Sequence, residues 1–296
     1  MKTEEDYIKP SNVFRVLLME VINRIGCRNG NCSQSVISSG FKILDSYVGG
    51  FGGGSLNVIA SRPSVGKTTL AISLAVNMAF GESPVPVGFF SLEMSLKPLI
   101  ERFFSNMFHV NLMRLREGEI KEDEKLPILN TMAEMHPLLD NIKVINSPGI
   151  GLKGLRLKTI RMVQEYKIKA LFVDEIDLVE SEGSSLPRWV MVNEIGRTLK
   201  IMAQDLEIPI FCLCPIAREG GRDRPPMLAD LKDSGFIEQY ADCVIMIDSP
   251  SMHSGFEPDD ATDINLRNII VAKNRNGCTG EFPMTMNPVF CRFDEV

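Results

Sequence analysis

A chain of 296 residues allows one or two domains, and 44% hydrophobic residues supply ample material for a core. The formal charge of −6 means that any contact with nucleic acid has to come from a local basic stripe, because the overall field repels phosphate. No apolar run approaches the roughly 18 residues of a membrane span, and the start Met-Lys-Thr-Glu-Glu-Asp is too acidic for a signal peptide, so the chain reads as cytoplasmic with no membrane partner. Cysteines at 27, 32, 212, 214, 243, 278 and 291 form no even disulfide framework, and Cys27 and Cys32 find no zinc partners among the scattered His109, His136 and His253.

Residues 10 to 26 begin with Pro10-Ser11-Asn12 and repeat apolar side chains at helical spacing (Val13, Val16, Leu17, Val21, Ile25) up to Gly26, which predicts a capped helix with one apolar stripe. That stripe packs either on its own domain or on a neighbouring subunit. Residues 27 to 36 are polar and turn-rich, so residues 1–36 read as a helix plus linker and 37–296 as the main domain. From residue 40 onward strand and helix alternate, the pattern of an α/β fold with a mostly parallel sheet covered on both faces. Gly49, Gly50, Gly52, Gly53 and Gly54 form a tight turn before the next strand.

The apolar run Leu56 to Ala60 is cut by Ser61, Arg62, Pro63, Ser64, Val65 and Gly66, and a helix-forming run follows Lys67, Thr68 and Thr69. In a strand, tight loop and helix of this kind, inward-pointing backbone N–H groups and the helix start hold a polyphosphate. Gly66 lets the backbone approach the phosphates, Lys67 reaches the β and γ phosphates, and Thr68 offers its hydroxyl to Mg²⁺. The motif G-x-x-x-x-G-K-[ST] is met except at its first position, where Ser61 stands.

Val87 to Ser91 reads as a second strand, Ser95 opens a helix through Val110, residues 111 to 141 read as two further helical pieces, and Lys143 to Asn146 as a strand. The apolar run starting at Lys169 delivers Asp174 to the C-terminal edge of the sheet, where ligands of open α/β sheets bind. This is a Walker-B pattern, whose aspartate holds the Mg²⁺ water shell. Hydrolysis also needs a carboxylate that orients the attacking water, and two compete for it: Glu93, after the neighbouring strand, and Glu175, next to Asp174. A long helix over 188–206, a buried strand over 208–214, a mobile basic loop holding Arg222 and Arg224, a strand over 243–247, a flexible loop over 248–265, and final strands near 267–273 and 280–286 complete the chain. Lys273 and Arg275 are two apart and on a strand would face the same way; two surface cations at a strand end are the plainer reading of the residues alone.

These stretches, in this order, resemble the C-terminal RecA-like motor domain of the DnaB family of replicative DNA helicases. The resemblance is carried by Ser61 to Thr68, Phe89 to Ser95, Val173-Asp174, Glu194 to Lys200, Asp230 to Asp242 and Lys273 to Gly277, and covers about residues 10 to 296. It implies a P-loop core preceded by the family's linker helix, with the helical N-terminal domain missing. It further implies a hexameric ring that uses ATP and Mg²⁺ and moves 5′ to 3′ on single-stranded DNA, with a helicase loader or a primase as further partners. Lys67 and Thr68 would bind phosphate and metal, Glu93 would be the catalytic carboxylate, and Lys273 and Arg275 would reach the next subunit's γ-phosphate. Lys232, Asp233 and Gly235 match the loop that holds DNA in the ring channel.

The chain departs from that family at Cys214-Pro215, where a Ser-Gln pair is usual, and at Asp174-Glu175-Ile176-Asp177, where Asp-Tyr-Leu-Gln is usual. Proline cannot donate the hydrogen bond of the replaced glutamine. The alternative function is therefore a nucleotide-binding relative that assembles with a helicase without unwinding DNA itself.

Overall fold

The computed structural model describes residues 36–180, 187–216, 224–231, 235–253 and 263–296, all within the unit Val36–Val296. The expected helix over 10–26, Cys27 and Cys32, Arg222, and the Lys232 and Asp233 of the expected DNA loop lie outside the described residues.

In chain order the elements are β1 (Val36–Ile37), α1 (Lys42–Val48), β2 (Phe51–Gly52), β3 (Leu56–Ser61), α2 (Lys67–Phe80), β4 (Val87–Ser91), α3 (Leu96–Phe108), α4 (Leu112–Glu117) and α5 (Glu122–Met135). There follow β5 (Ile142–Asn146), α6 (Leu152–Tyr166), β6 (Ala170–Asp174), α7 (Arg188–Leu206), β7 (Ile210–Pro215), α8 (Gly235–Tyr240), β8 (Cys243–Asp248), β9 (Leu266–Asn274), β10 (Gly280–Asn287) and β11 (Arg292–Glu295). Among the described residues the main sheet has nine strands in the order β11-β10-β9-β8-β3-β7-β6-β4-β5. The stretch from β8 to β5 is parallel, while β9, β10 and β11 extend it as antiparallel neighbours.

The strand runs are nearly unbroken in apolar residues because both faces of the parallel sheet are covered. Successive side chains alternate between faces: Ile59, Phe89 and Phe172 enter the core under α1, α2 and α3, whereas Val58, Phe90 and Val173 enter the core under α6 and α7. On the first face register places Phe89 opposite Phe172 and Phe172 opposite Phe211. Their rings stack at 5.8 and 4.5 Å between centroids, with Phe51 meeting Phe211 edge-on at 4.7 Å. Such pairs add about 0.5–1.5 kcal/mol each beyond their buried area, and they clamp β4, β6 and β7, which carry the residues of the site, in one register.

The mostly parallel, helix-covered sheet matches the expectation. The glycine run divides its work: Gly49 caps α1 in the left-handed region (φ 72°), Gly52 belongs to β2, and Gly54 (φ 79°) turns the chain into β3. Of the loop expected over 248–265, the described parts include short 3₁₀ turns, Pro250–Met252 and Asp263–Asn265, and residues 254–262 lie outside the described residues. Arg224, the described arginine of the expected basic loop, makes a bidentate pair with Asp230 at 2.7 and 2.6 Å.

Candidate active site

Because β3, β4, β6, β7 and β8 are parallel, Ser61, Ser91, Asp174, Pro215 and Asp248 all arrive at the same edge of the sheet. The loop from Arg62 to Gly66 and the start of α2 sit over this edge and form one wall of a cleft of about 580 Å³. Ser61 is buried in the strand, opposite Pro215 and Ile247, and its hydroxyl donates to Arg62 O at 2.9 Å. Pro63 and Ser64 are exposed at the loop tip, with Ser64 at φ 65°, while Val65 and Thr69 turn into the core.

Gly66 adopts φ 120°, and a Cβ there would lie 2.5 Å from Met286 Sδ and 3.2 Å from the Phe293 ring. The glycine is therefore required by packing against β10 and β11 as well as by its backbone conformation, a reason the motif alone does not reveal. Arg267 supports the same loop from β9. It is buried, and its Nε donates to Val65 O at 3.1 Å. On the other flank Arg62 lies 3.5 Å from Asp248 Oδ1 and donates to Arg224 O at 2.9 Å.

Lys67, Thr68, Glu93, Asp174 and Glu175 come together around the cleft. Thr68 Oγ1 donates to Asp174 Oδ2 at 3.0 Å, and Lys67 Nζ pairs with Glu175 Oε1 at 2.9 Å. Carboxylate oxygens of Glu93, Asp174 and Glu175 lie within 4.8 Å of one another. Asp174 is fully buried and its Oδ1 has no partner among the described residues. Burial pushes its carboxyl up to about 6, against the opposing pull of the Thr68 hydrogen bond and of Lys67. Glu175 is also pushed up, because its burial outweighs the attraction of Lys67. Glu93, by contrast, is exposed on the cleft wall. A buried carboxylate with one empty oxygen, a threonine hydroxyl bonded to it and further carboxylates at hand form an oxygen-only donor set that fits Mg²⁺.

Lys273 and Arg275 stand elsewhere. Lys273 pairs with Val244 near the start of β8, and the Arg275 N–H donates to Asp242 O just before β8. They therefore lie at the N-terminal edge of the parallel strands, a strand length of about 20 Å from the phosphate loop. The strand ends at Asn274, so Arg275 is in the following turn and the shared-face expectation does not apply to it. Gly235 opens α8.

Sequence reasoning passed over Arg102, Asp248 and Arg267. Arg102 lines the cleft from α3, three residues after buried Leu99 and beside buried Phe103, at the border of an apolar stripe. Asp248 carries the same signal as Asp174, a carboxylate closing an apolar parallel strand. Arg267 is an inward-pointing charge in an alternating strand, a pattern that calls for a buried acceptor.

Comparison with known proteins agrees with this geometry. The chain is 34% identical over 278 residues to the replicative DNA helicase DnaB of Treponema pallidum (strain Nichols), covering 94% of this chain and 60% of that one. It is 32% identical over 285 residues to replicative DNA helicase DnaB of Geobacillus stearothermophilus, covering 95% and 61%. The chain thus spans about three-fifths of the length of these curated relatives. Among solved structures, the ATPase domain of G40P superposes with a TM-score of 0.81 at 25% identity, covering 95% of this chain and 98% of that one. A DnaB-like replicative helicase, whose structure was described with its interactions with primase, also gives 0.81 at 25% identity, covering 98% and 68%. The profile of the DnaB-like helicase C-terminal domain matches residues 36–295, from the first strand to the last, and the chain accordingly belongs to that family.

Proposed function

We propose that this chain is the motor domain of an ATP-driven DNA helicase that hydrolyses ATP between adjacent copies in a hexameric ring and moves 5′ to 3′ on single-stranded DNA in the cytoplasm. The observation that carries this reading is the separation of the two halves of the site. Lys67, Thr68 and Asp174 converge at one edge of the sheet, while Lys273 and Arg275 sit at the other, a separation that supports cations acting on a second copy's nucleotide rather than on their own.

The phosphate loop and Lys67 would hold the triphosphate, and Thr68 and Asp174 would hold Mg²⁺, which supplies charge neutralisation between the phosphates. Glu93 would orient the attacking water from the open wall, and Lys273 and Arg275 of a neighbour would stabilise charge at the γ-phosphate, worth roughly 10³ to 10⁵ in rate. Residues 1–36 would serve as linker helix and linker, and Lys232, Asp233 and Gly235 as the DNA-holding loop. Their repetition around a ring would make the local basic stripe that a chain of net charge −6 requires. Loader and primase would be partners of the assembled ring.

The direct test is ATPase activity of wild type and Lys67→Ala with and without single-stranded DNA, alongside mass photometry with Mg·ATP. A DNA-stimulated activity lost in the variant, and a six-fold assembly, are expected; equal, DNA-independent activity in both proteins overturns the reading. Pro215 supports a second reading, a ring component that binds nucleotide without unwinding. It ends β7 opposite Ser61 and lines the cleft, where it has no side-chain donor to offer a phosphate. A stable ring that binds ATP yet displaces no strand from a forked duplex would favour it.

A further inference from the structure

Arg275 is already held in place within its own chain. Its N–H donates to Asp242 O at 2.8 Å, its Nη1 lies 3.4 Å from Asp242 Oδ1, and its Nη2 donates to Gln239 O at 2.5 Å. Asp242 is in turn fixed on its other oxygen: Oδ2 accepts from Leu56 N at 2.8 Å and from Lys200 Nζ at 2.6 Å. Lys200 reaches across from α7 and also donates to Gly54 O at 2.8 Å. One buried carboxylate thus ties the start of β3, the helix α7 and the turn after β9.

The division of labour between the two oxygens is informative. Oδ2 carries the structural bonds, and Oδ1 is left for the guanidinium. These contacts use two of the five N–H donors of Arg275, so the others stay available to an outside acceptor on an otherwise exposed side chain. A surface arginine left to itself samples many rotamers, all but one of which would have to be abandoned when it meets a phosphate.

We infer that Asp242, braced by Lys200 and the Leu56 N–H, is a positioning residue that presents Arg275 to the nucleotide of a neighbouring copy. The inference rests on the reading of Arg275 as an in-trans cation, and its test separates the two. Steady-state ATPase with single-stranded DNA is measured for wild type, Arg275→Ala, Asp242→Asn and the double variant. Asp242→Asn is expected to lower kcat by about tenfold to a hundredfold with KM little changed, the range seen when a reacting group is misplaced by about 1 Å. Arg275→Ala lowers it further, and the double variant matches Arg275→Ala alone, because Asp242 then has nothing to position. A merely structural carboxylate would add its defect to that of Arg275→Ala.

Mixed assemblies give the second readout. Lys67→Ala subunits, inactive alone, retain an intact Asp242 and Arg275, so mixing them with Asp242→Asn subunits restores turnover at the interfaces where a sound phosphate loop meets a sound arginine. Wild-type kcat in Asp242→Asn alongside an impaired Arg275→Ala overturns the inference and leaves the in-trans reading standing, as does the absence of restoration when Arg275→Ala is rescued by the same mixing. Wild-type kcat in Arg275→Ala overturns both. If Asp242→Asn does not assemble, Asp242→Glu, which keeps the charge and displaces it by one methylene, is judged by the same criteria.

Discussion

Lys67 Nζ lies 2.9 Å from Glu175 Oε1, and both side chains are largely buried, at 12% and 13% exposure. The lysine expected to grip phosphate is thus engaged by Glu175, one of the three residues at which this chain departs from the Asp-Tyr-Leu-Gln pattern. A phosphate entering the loop has to take Lys67 from Glu175, whereas Glu93 faces the open cleft with no such tie to the lysine.

Glu175→Gln should therefore tighten nucleotide binding, by about tenfold for a buried pair whose net contribution is about 1.4 kcal/mol. The same change should leave kcat within about tenfold, while Glu93→Gln lowers it by about 10²–10⁴, the usual range for a lost general base. Fluorescent-nucleotide titration and single-turnover hydrolysis check this. A Glu175→Gln variant with unchanged affinity and abolished turnover would transfer the catalytic role to Glu175.

Asp174 couples the site to stability. Its carboxyl is raised from 3.8 to about 6 by burial, so between those values the native state binds more protons than the unfolded chain. By linkage, this group makes the nucleotide-free protein less stable as pH rises from about 4 to about 6, and the cost persists above 6. Asp174→Asn should stabilise the nucleotide-free protein by about 1–3 kcal/mol at pH 7.5, since each pKa unit is worth about 1.4 kcal/mol. Mg²⁺-dependent ATP binding is lost in the same variant. Urea unfolding at pH 7.5 and 5 measures it; a stability gain undiminished at pH 5 would argue against titration as the cause.

Gly66→Ala should destabilise the fold by about 2–4 kcal/mol, through a positive φ and a steric conflict that the left-handed Gly49 and Gly118 do not share. The added methyl meets Met286 Sδ at 2.5 Å, whereas Gly49 and Gly118 have nothing within 4 Å. Adding Met286→Ala should recover part of the loss and leave the backbone part. Full recovery would mean that φ at residue 66 is unimportant.

Arg267→Met should weaken nucleotide binding by about tenfold, because the Val65 carbonyl loses its donor and an unpaired buried acceptor costs about 1–3 kcal/mol. Calorimetric titration with a nonhydrolysable ATP analogue reads the loss. Unchanged affinity would assign Arg267 to β9 packing alone.

The core strands were legible because each is a short, mostly apolar run, and the two runs ending at Ser61 and Asp174 locate the site by themselves. Helix α6 was harder to read: Gly154 falls in its first turn and Leu157 points to solvent at 68% exposure, which blurs the apolar period. Strand β11 is four residues long and lies beyond any pattern with a clear period. Arg102 and Arg267 went unread because a charged residue in an apolar stripe signals only that a partner exists. That partner, a cleft in one case and the Val65 carbonyl in the other, is fixed by tertiary packing between segments far apart in the chain.

Strand β9 touches the phosphate loop through Arg267 near its first residue and carries Lys273 near its last. In the proposed ring such a strand would join two pockets, its own felt through Arg267 and the one next door met at its far tip, with the break in its pairing opposite Val244 and Ile245 lying between them. News of each firing event would then travel around the circle in one sense only, with no need for a messenger at the hub.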